Sequence, residues 1–212
     1  MTIAIKIGLT VAAVGMWLFT QKLLGQRQMP FKDRIGDYFH ILTDRWSQHL
    51  NRTPKVANGL LISSSLVIDA VGIYLIAQTL LGPSIRPLLA LLMLFTLRQI
   101  NQAITVLPTP EGMIWRDPGV PSIFVTYGVS NDLFFSGHTA LAVLGALEIA
   151  QLGGPFFTTL AFAIVFFEIT VVLLLRAHWT MDIFAGAITA LWTHEIVSKY
   201  APSVDYWIAT LL

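Results

Sequence analysis

The chain has 212 residues, 55% hydrophobic and only 12% charged, with a mean hydropathy of +0.70. Soluble domains carry about 25% charged residues, so this surface is too poor in polar groups to face water all round. A net charge of +1 offers no case for nucleic-acid binding, and the absence of cysteine excludes disulfides, thiolate metal ligands and cysteine nucleophiles.

A helix crossing the hydrocarbon needs about 20 mostly apolar residues. Six stretches come near that: 3–24, 58–81, 86–106, 137–152, 155–175 and 180–197. Lys6 and Lys22 stand near the ends of the first, placed to snorkel. No clear small-x-small cleavage pattern follows it, so it reads as an uncleaved anchor. Between the first and second stretches, Ile35, Tyr38, Phe39, Leu42, Trp46 and Leu50 recur near helical spacing. Segment 33–50 therefore reads as an amphipathic helix in the membrane interface, with packing on the protein's own rim as the alternative. Segment 107–136 is rich in Pro, Gly and aromatics and holds no span. The apolar runs are continuous rather than alternating, which argues against a barrel. The expected fold is all-α: one membrane domain over 1–212, an integral bundle of six transmembrane helices with an interfacial amphipathic helix between the first and second.

Six crossings put both long connections and residues 176–179 on one face. The starts of the fourth and sixth spans lie there too, so His138 and His178 share a face and a depth. Four charged residues, Asp69, Arg98, Glu148 and Glu168, fall inside spans, where charge is expensive. At 1.5 Å per residue they lie roughly 12–16 Å from the histidine-side ends, and Arg98 is expected to pair with one or more of the acids. His40 and His49 read as solvated, and His194 as a boundary residue at the far end of the last span.

Two strings carry the chemistry: Ser136-Gly137-His138-Thr139 and Arg176-Ala177-His178-Trp179-Thr180-Met181-Asp182. His178 and Asp182, at i and i+4, share a helix face. A carboxylate on one ring nitrogen makes the other a better base or nucleophile, and His138 can then protonate a leaving oxygen. Two histidines without a serine or cysteine nucleophile suit attack on phosphorus, giving a phosphohistidine. Arg176 and Arg98 are the candidates to hold a phosphate through their bidentate fork, with Arg116 in the connecting loop. Ser136 is an N-cap candidate, and Gly137 lets backbone amides at a helix start approach an anion. Two histidines and an aspartate can also ligate zinc, but the motif of two histidines on one helix is missing; no metal and no cofactor is expected.

The strings Asp132-Leu133-Phe134-Phe135-Ser136-Gly137-His138-Thr139 and His178-Trp179-Thr180-Met181-Asp182 resemble the two signature motifs of the sphingomyelin synthase branch of the type 2 phosphatidic acid phosphatase superfamily. The stretch from Arg98 to Thr105-Val106-Leu107-Pro108-Thr109-Pro110 resembles that branch's preceding motif. The likeness covers about 98–186, and six spans is also the branch's pattern. It implies a metal-independent transferase in which His178 matches the nucleophile, Asp182 its activator and His138 the general acid. Asp132 matches an acidic residue just before the first histidine motif. Two features depart from the superfamily: a Lys/Arg-Pro motif is missing, and Arg176 stands two residues before His178 rather than five. The resemblance also implies an external site, whereas Lys and Arg crowd the histidine face, which the positive-inside rule assigns to the cytoplasm.

The resulting expectation is transfer of phosphocholine or phosphoethanolamine from a glycerophospholipid to a lipid alcohol, ceramide or diacylglycerol, at one membrane–water interface. The alternative is a lipid phosphatase or phospholipase C-like hydrolase with the same His/His/Asp site; a non-enzymatic scaffold or channel is a third class. Membrane lipids are the expected partners, donor and acceptor, and a homo-oligomer stays open.

Overall fold

The computed structural model describes residues 2–26, 36–127 and 133–211. Among these residues every regular element is a helix. In chain order they are α1 (Ile3–Gly25), α2 (Tyr38–Leu42), α3 (Asp44–Arg52), α4 (Pro54–Leu81), α5 (Arg86–Ile104), α6 (Gly137–Ala150), α7 (Gly154–Leu174) and α8 (Thr180–Thr210). Proline in the first turn starts α4, α5 and α7, where its missing N–H costs nothing. Gly153 and Gly154, both with φ above 80°, turn the chain from α6 into α7.

Among the described residues four helices are long and apolar enough to cross a membrane: Ile3–Leu23, Pro54–Leu81, Arg86–Ile104 and Gly154–Leu174. The other two expected spans differ for separate reasons. Helix α6 has only 14 residues and is the central post of the bundle, packed by α4, α5, α7 and α8. Its apolar character runs all round because it faces protein on every side; Ala140, Leu141, Ala142 and Leu144 are buried. At Gly145 a Cβ would stand 2.2 Å from Val71 Cγ1, so glycine there lets α4 reach the post. Helix α8 runs past residue 197, through Pro202, to Thr210. Asp205 holds this extension by accepting from Ser84 Oγ at 2.5 Å and Ile85 N at 2.9 Å, at the start of α5.

Segment 33–50 is not one helix. Residues 33–35 lie outside the described residues, and 38–52 form two short helices broken at Thr43. Asp37 caps α2 by accepting from the N–H groups of Phe39 and His40, and Thr43 Oγ1 bonds back to Phe39 O at 2.7 Å. These local side-chain bonds compete with helix continuation. Tyr38, Ile41, Leu42 and Trp46 stay exposed, while Leu50 is buried.

The intramembrane charges do not converge on Arg98. Glu148 pairs with Arg86 at 2.5 Å, Glu168 accepts from Ser64 Oγ at 2.7 Å, and Asp69 accepts from Ser122 Oγ and from the N–H groups of Ile123 and Phe124. Glu148 lies next to Arg86, at the end opposite the histidines, because α6 is too short to bury it at mid-depth. Lys6 also departs from a snorkelling role: it is buried and donates to Gly82 O at 2.8 Å, tying α1 to the α4–α5 turn.

Candidate active site

The starts of α6 and α8 are joined by backbone. Ser136 N–H donates to Asp182 O at 3.0 Å. A Cβ on Gly186 would stand 2.6 Å from Ser136 O, so glycine alone permits this approach. Ser136 is the N-cap of α6, accepting from Thr139 N at 3.3 Å and from the Thr139 hydroxyl at 3.1 Å. Fully buried, it serves the cap and does not line the cavity described below.

The second motif enters through the end of α7. Arg176 N–H bonds Leu173 O and Ala177 N–H bonds Val172 O, the two bonds of a Schellman ending. Arg176 has φ of 52° at the position usually held by glycine. Its guanidinium is taken up by Glu111 O at 2.7 Å, His40 O at 3.1 Å and the Asp44 carboxylate at 2.5 Å. Arg176 thus staples the loop and the α2–α3 pair to the motif, away from the cavity. Arg116 is likewise engaged outside it, by Asn58 and Pro54 O.

His138 and His178 line one cavity together with Arg98 and Gly137; its empty volume, open mouth included, is about 530 Å³. Behind His178, Nδ1 faces Asp182 Oδ2 at 3.6 Å, just beyond hydrogen-bond range. The same carboxylate oxygen accepts Trp179 N–H at 3.0 Å, which fixes the aspartate in the first turn of α8. Asp182 is fully buried. His138 Nε2, His178 Nδ1 and Asp182 Oδ1 are buried without a hydrogen-bond partner among the described residues. Unmet buried polar atoms are uncommon in native structures, and here several share one place. Arg98 Nε donates to Phe135 O at 3.1 Å and its Nη1 to Gln21 Oε1 at 3.2 Å. A Cβ at Gly137 would stand 2.9 Å from Arg98 Nε, so glycine lets the guanidinium lie against the start of α6. Asp132 lies outside the described residues.

Met113, Trp115, Phe124 and Thr126, from the connection that follows α5, cover the cavity. Trp115 meets His138 edge-on, with ring centroids 5.1 Å apart, and its Nε1 donates to Thr126 O. Ile114 N–H bonds Leu175 O at 2.8 Å, and Trp179 Nε1 bonds Pro108 O at 2.8 Å. From α1, Trp17 and Gln21 complete the wall.

Two residues near the site escape sequence reasoning. His40 is buried rather than solvated. Its Nε2 donates to His178 O at 3.0 Å, and its ring stacks on Trp179 at 5.2 Å. Asp37 accepts Thr180 N–H at 2.6 Å and the Thr180 hydroxyl at 2.8 Å. Burial lowers the His40 pKa, against the opposing pull of Asp37, so the ring is kept neutral. Burial pushes the Asp37 carboxyl up, but the bonds from Thr180 and the nearby His40 hold it below the ordinary value. Asp37 shows locally as an N-cap; its bond across to Thr180 leaves no periodic trace. His49 is exposed, as its position on the connection implied.

A family model described as AtPDCT1/2 matches residues 36–199. One relative, phosphatidylcholine:diacylglycerol cholinephosphotransferase 1 of Arabidopsis thaliana, is 25% identical over 187 residues, covering 86% of this chain and 58% of the relative. The chain therefore spans less than two thirds of that protein's length. No solved structure matches.

Proposed function

The chain belongs to the AtPDCT1/2 family, and from that premise and the site geometry we propose that it moves phosphocholine from phosphatidylcholine to diacylglycerol. The observation that carries this reading is the shared cavity: the histidines of two separate motifs and Arg98 line it, with Asp182 behind His178. The name of the Arabidopsis relative supports phosphocholine as the head group and diacylglycerol as the acceptor. The likeness to the sphingomyelin synthase branch supports a phosphohistidine.

The donor phosphodiester occupies the cavity with Arg98 against its oxygens, where a guanidinium matches their geometry and offsets charge developing on phosphorus. His178 Nδ1 faces Asp182, so Nε2 is the nucleophile. Contraction of the 3.6 Å approach to a hydrogen bond stabilises the positive ring that forms. Nε2 attacks phosphorus, the bond from phosphorus to the glyceryl oxygen breaks, and His138 protonates that oxygen. Diacylglycerol leaves, and phosphocholine remains on His178. A second diacylglycerol then gives its hydroxyl proton to His138 and attacks phosphorus, which restores His178. Leaving group and acceptor are the same kind of alcohol, so one acid–base histidine serves both halves. The Trp115 roof and the apolar lining limit the access of water, which would otherwise release phosphocholine.

In this reading α6 and α8 add two crossings to the four helices of spanning length, and the cavity opens at one membrane–water interface. The exposed Tyr38, Ile41, Leu42 and Trp46 of α2 and α3 lie in that interface beside it.

The test uses the full chain in vesicles with choline-labelled phosphatidylcholine and a diacylglycerol of distinct chain length. Label in phosphatidylcholine carrying the new chains is the expected result, and it disappears in His178→Ala. Release of water-soluble phosphocholine instead identifies a hydrolase, and transfer surviving in His178→Ala removes the nucleophile assignment.

A further inference from the structure

Among the described residues helix α1 packs mainly along α4 and α5, and most of its spanning length is unburied. Beside it the three helices enclose a second cavity, an apolar groove with an empty volume of about 860 Å³, open mouth included. Among the described residues no charged side chain lines it. It shares Trp17, Phe95 and Phe124 with the histidine cavity, so these rings form a common partition. Trp17 lies 5.5 Å from Phe95 and 6.0 Å from Phe124 between ring centroids. The partition is built with care: Asp69 accepts Phe124 N–H at 2.9 Å, and a Cβ at Gly72 would stand 2.5 Å from the Phe124 ring.

Along α5 the groove runs from Leu88 to Ile100, about 18 Å at 1.5 Å per residue, enough for an extended acyl chain. Its polarity is uneven. Gln99 lies at the histidine end, and both amide atoms of its side chain are buried without a partner among the described residues, as is Trp17 Nε1. Toward Leu88 the walls are aliphatic. A slot with unmet hydrogen-bonding groups at one end and apolar walls below fits a lipid chain headed by a carbonyl.

We propose that this groove seats the neutral lipid alcohol that accepts the head group. Its acyl chain lies along α5, its ester carbonyl accepts from Gln99 Nε2 and Trp17 Nε1, and its hydroxyl is directed past the aromatic partition toward the histidines. The absence of charge in the groove favours an uncharged lipid, while the phosphodiester belongs with Arg98 on the other side. This assignment rests on the transfer reading, and it identifies which part of the protein recognises the acceptor.

Photo-crosslinking tests it without turnover. The full chain carrying His178→Ala is placed in vesicles with a diacylglycerol bearing a diazirine in one chain. Adducts are expected on residues 10–20 and 88–100, suppressed by excess diacylglycerol and not by excess phosphatidylcholine. Adducts elsewhere, or equal suppression by phosphatidylcholine, overturn the assignment. In the otherwise native chain, Leu92→Trp and Gln99→Leu are expected to raise the acceptor KM at least tenfold while leaving labelling of His178 by choline-labelled phosphatidylcholine unchanged. An unchanged acceptor KM in both variants, or an equal loss of labelling and transfer, also overturns it. Failure of the transfer reading shows separately, as absence of that label on His178 in the unmutated chain.

Discussion

The two ends of the bundle each hold a histidine, a carboxylate and an arginine, and the histidine-to-carboxylate distance is the same 3.6 Å in both. At the far end Arg86 donates to Glu148 at 2.5 Å and to Gln151 at 2.8 Å, and His194 meets Gln151 at 2.8 Å. At the motif end His138 Nε2, His178 Nδ1 and Asp182 Oδ1 have no hydrogen-bond partner among the described residues, beside a cavity. The far cluster spends most of its hydrogen-bonding capacity on itself, with Glu148 Oε1 left unmet among the described residues, and fastens α5, α6 and α8 together. The motif cluster leaves capacity unmet beside and behind the cavity that His138 and His178 line. Proximity of imidazole and carboxylate is therefore not what distinguishes the motif end; two histidines and an arginine lining one cavity are.

The largest expected difference between the ends comes from the histidines. His178→Ala should lower the transfer rate by at least about 10⁴-fold, as loss of a nucleophile does, whereas His194→Gln should stay within about twofold. Comparable losses in the two variants would erase the contrast. Next come the carboxylates. Asp182→Asn keeps the acceptor for Trp179 N–H and should cost about 10²–10³ in kcat, with little change in KM. Glu148→Ala should leave kcat nearly unchanged but lower stability by roughly 1–3 kcal/mol, since it strands Arg86; thermal unfolding in detergent reads this directly.

The arginines sharpen the comparison further. Arg98→Ala should cost about 10²-fold in kcat, on the scale of a lost charge-stabilising donor. A fully active Arg98→Ala protein would confine that residue to structure. Arg176 should act through the fold alone. Arg176→Gly relieves roughly 1 kcal/mol of left-handed strain that Arg176→Ala, like the native arginine, retains, so the alanine variant should unfold at the lower temperature. Activity in both should fall less than about tenfold.

The smallest effect concerns pH. Because burial lowers the His40 pKa, the folded protein binds a proton there more weakly than the unfolded chain does. The stabilising contribution is complete above the ordinary histidine value of 6.5 and is lost as pH falls below it toward the folded value. The melting temperature should drop between about pH 7.5 and 5.5, and His40→Gln should flatten that drop. An unchanged slope in the variant would place the titration elsewhere.

Much of this was legible in the chain. Continuous apolar runs located the helices, Gly153-Gly154-Pro155 marked the α6–α7 turn, and the parity of crossings brought His138 and His178 to one end. Arg98 shows the limit: its position inside an apolar run identified it as functional or paired, but its contact with Phe135 O and Gln21 depends on which faces of α1 and α5 meet. His40 shows the same limit from the other side, since an amphipathic spacing cannot distinguish a solvated ring from one folded back under His178. The shortness of α6 was hidden because a protein-buried post and a lipid-facing span are equally apolar.

Residue chemistry and order along the chain determined the helices, the two histidine motifs and the end of the bundle at which they lie, because hydropathy and helical period act locally. Tertiary structure decided which arginine faces the cavity, which loop covers it, and where a groove opens beside it. Those outcomes depend on contacts between segments from about 40 to more than 130 residues apart, such as Arg98 with Phe135 and Arg176 with His40, and no local pattern encodes which surfaces will pack.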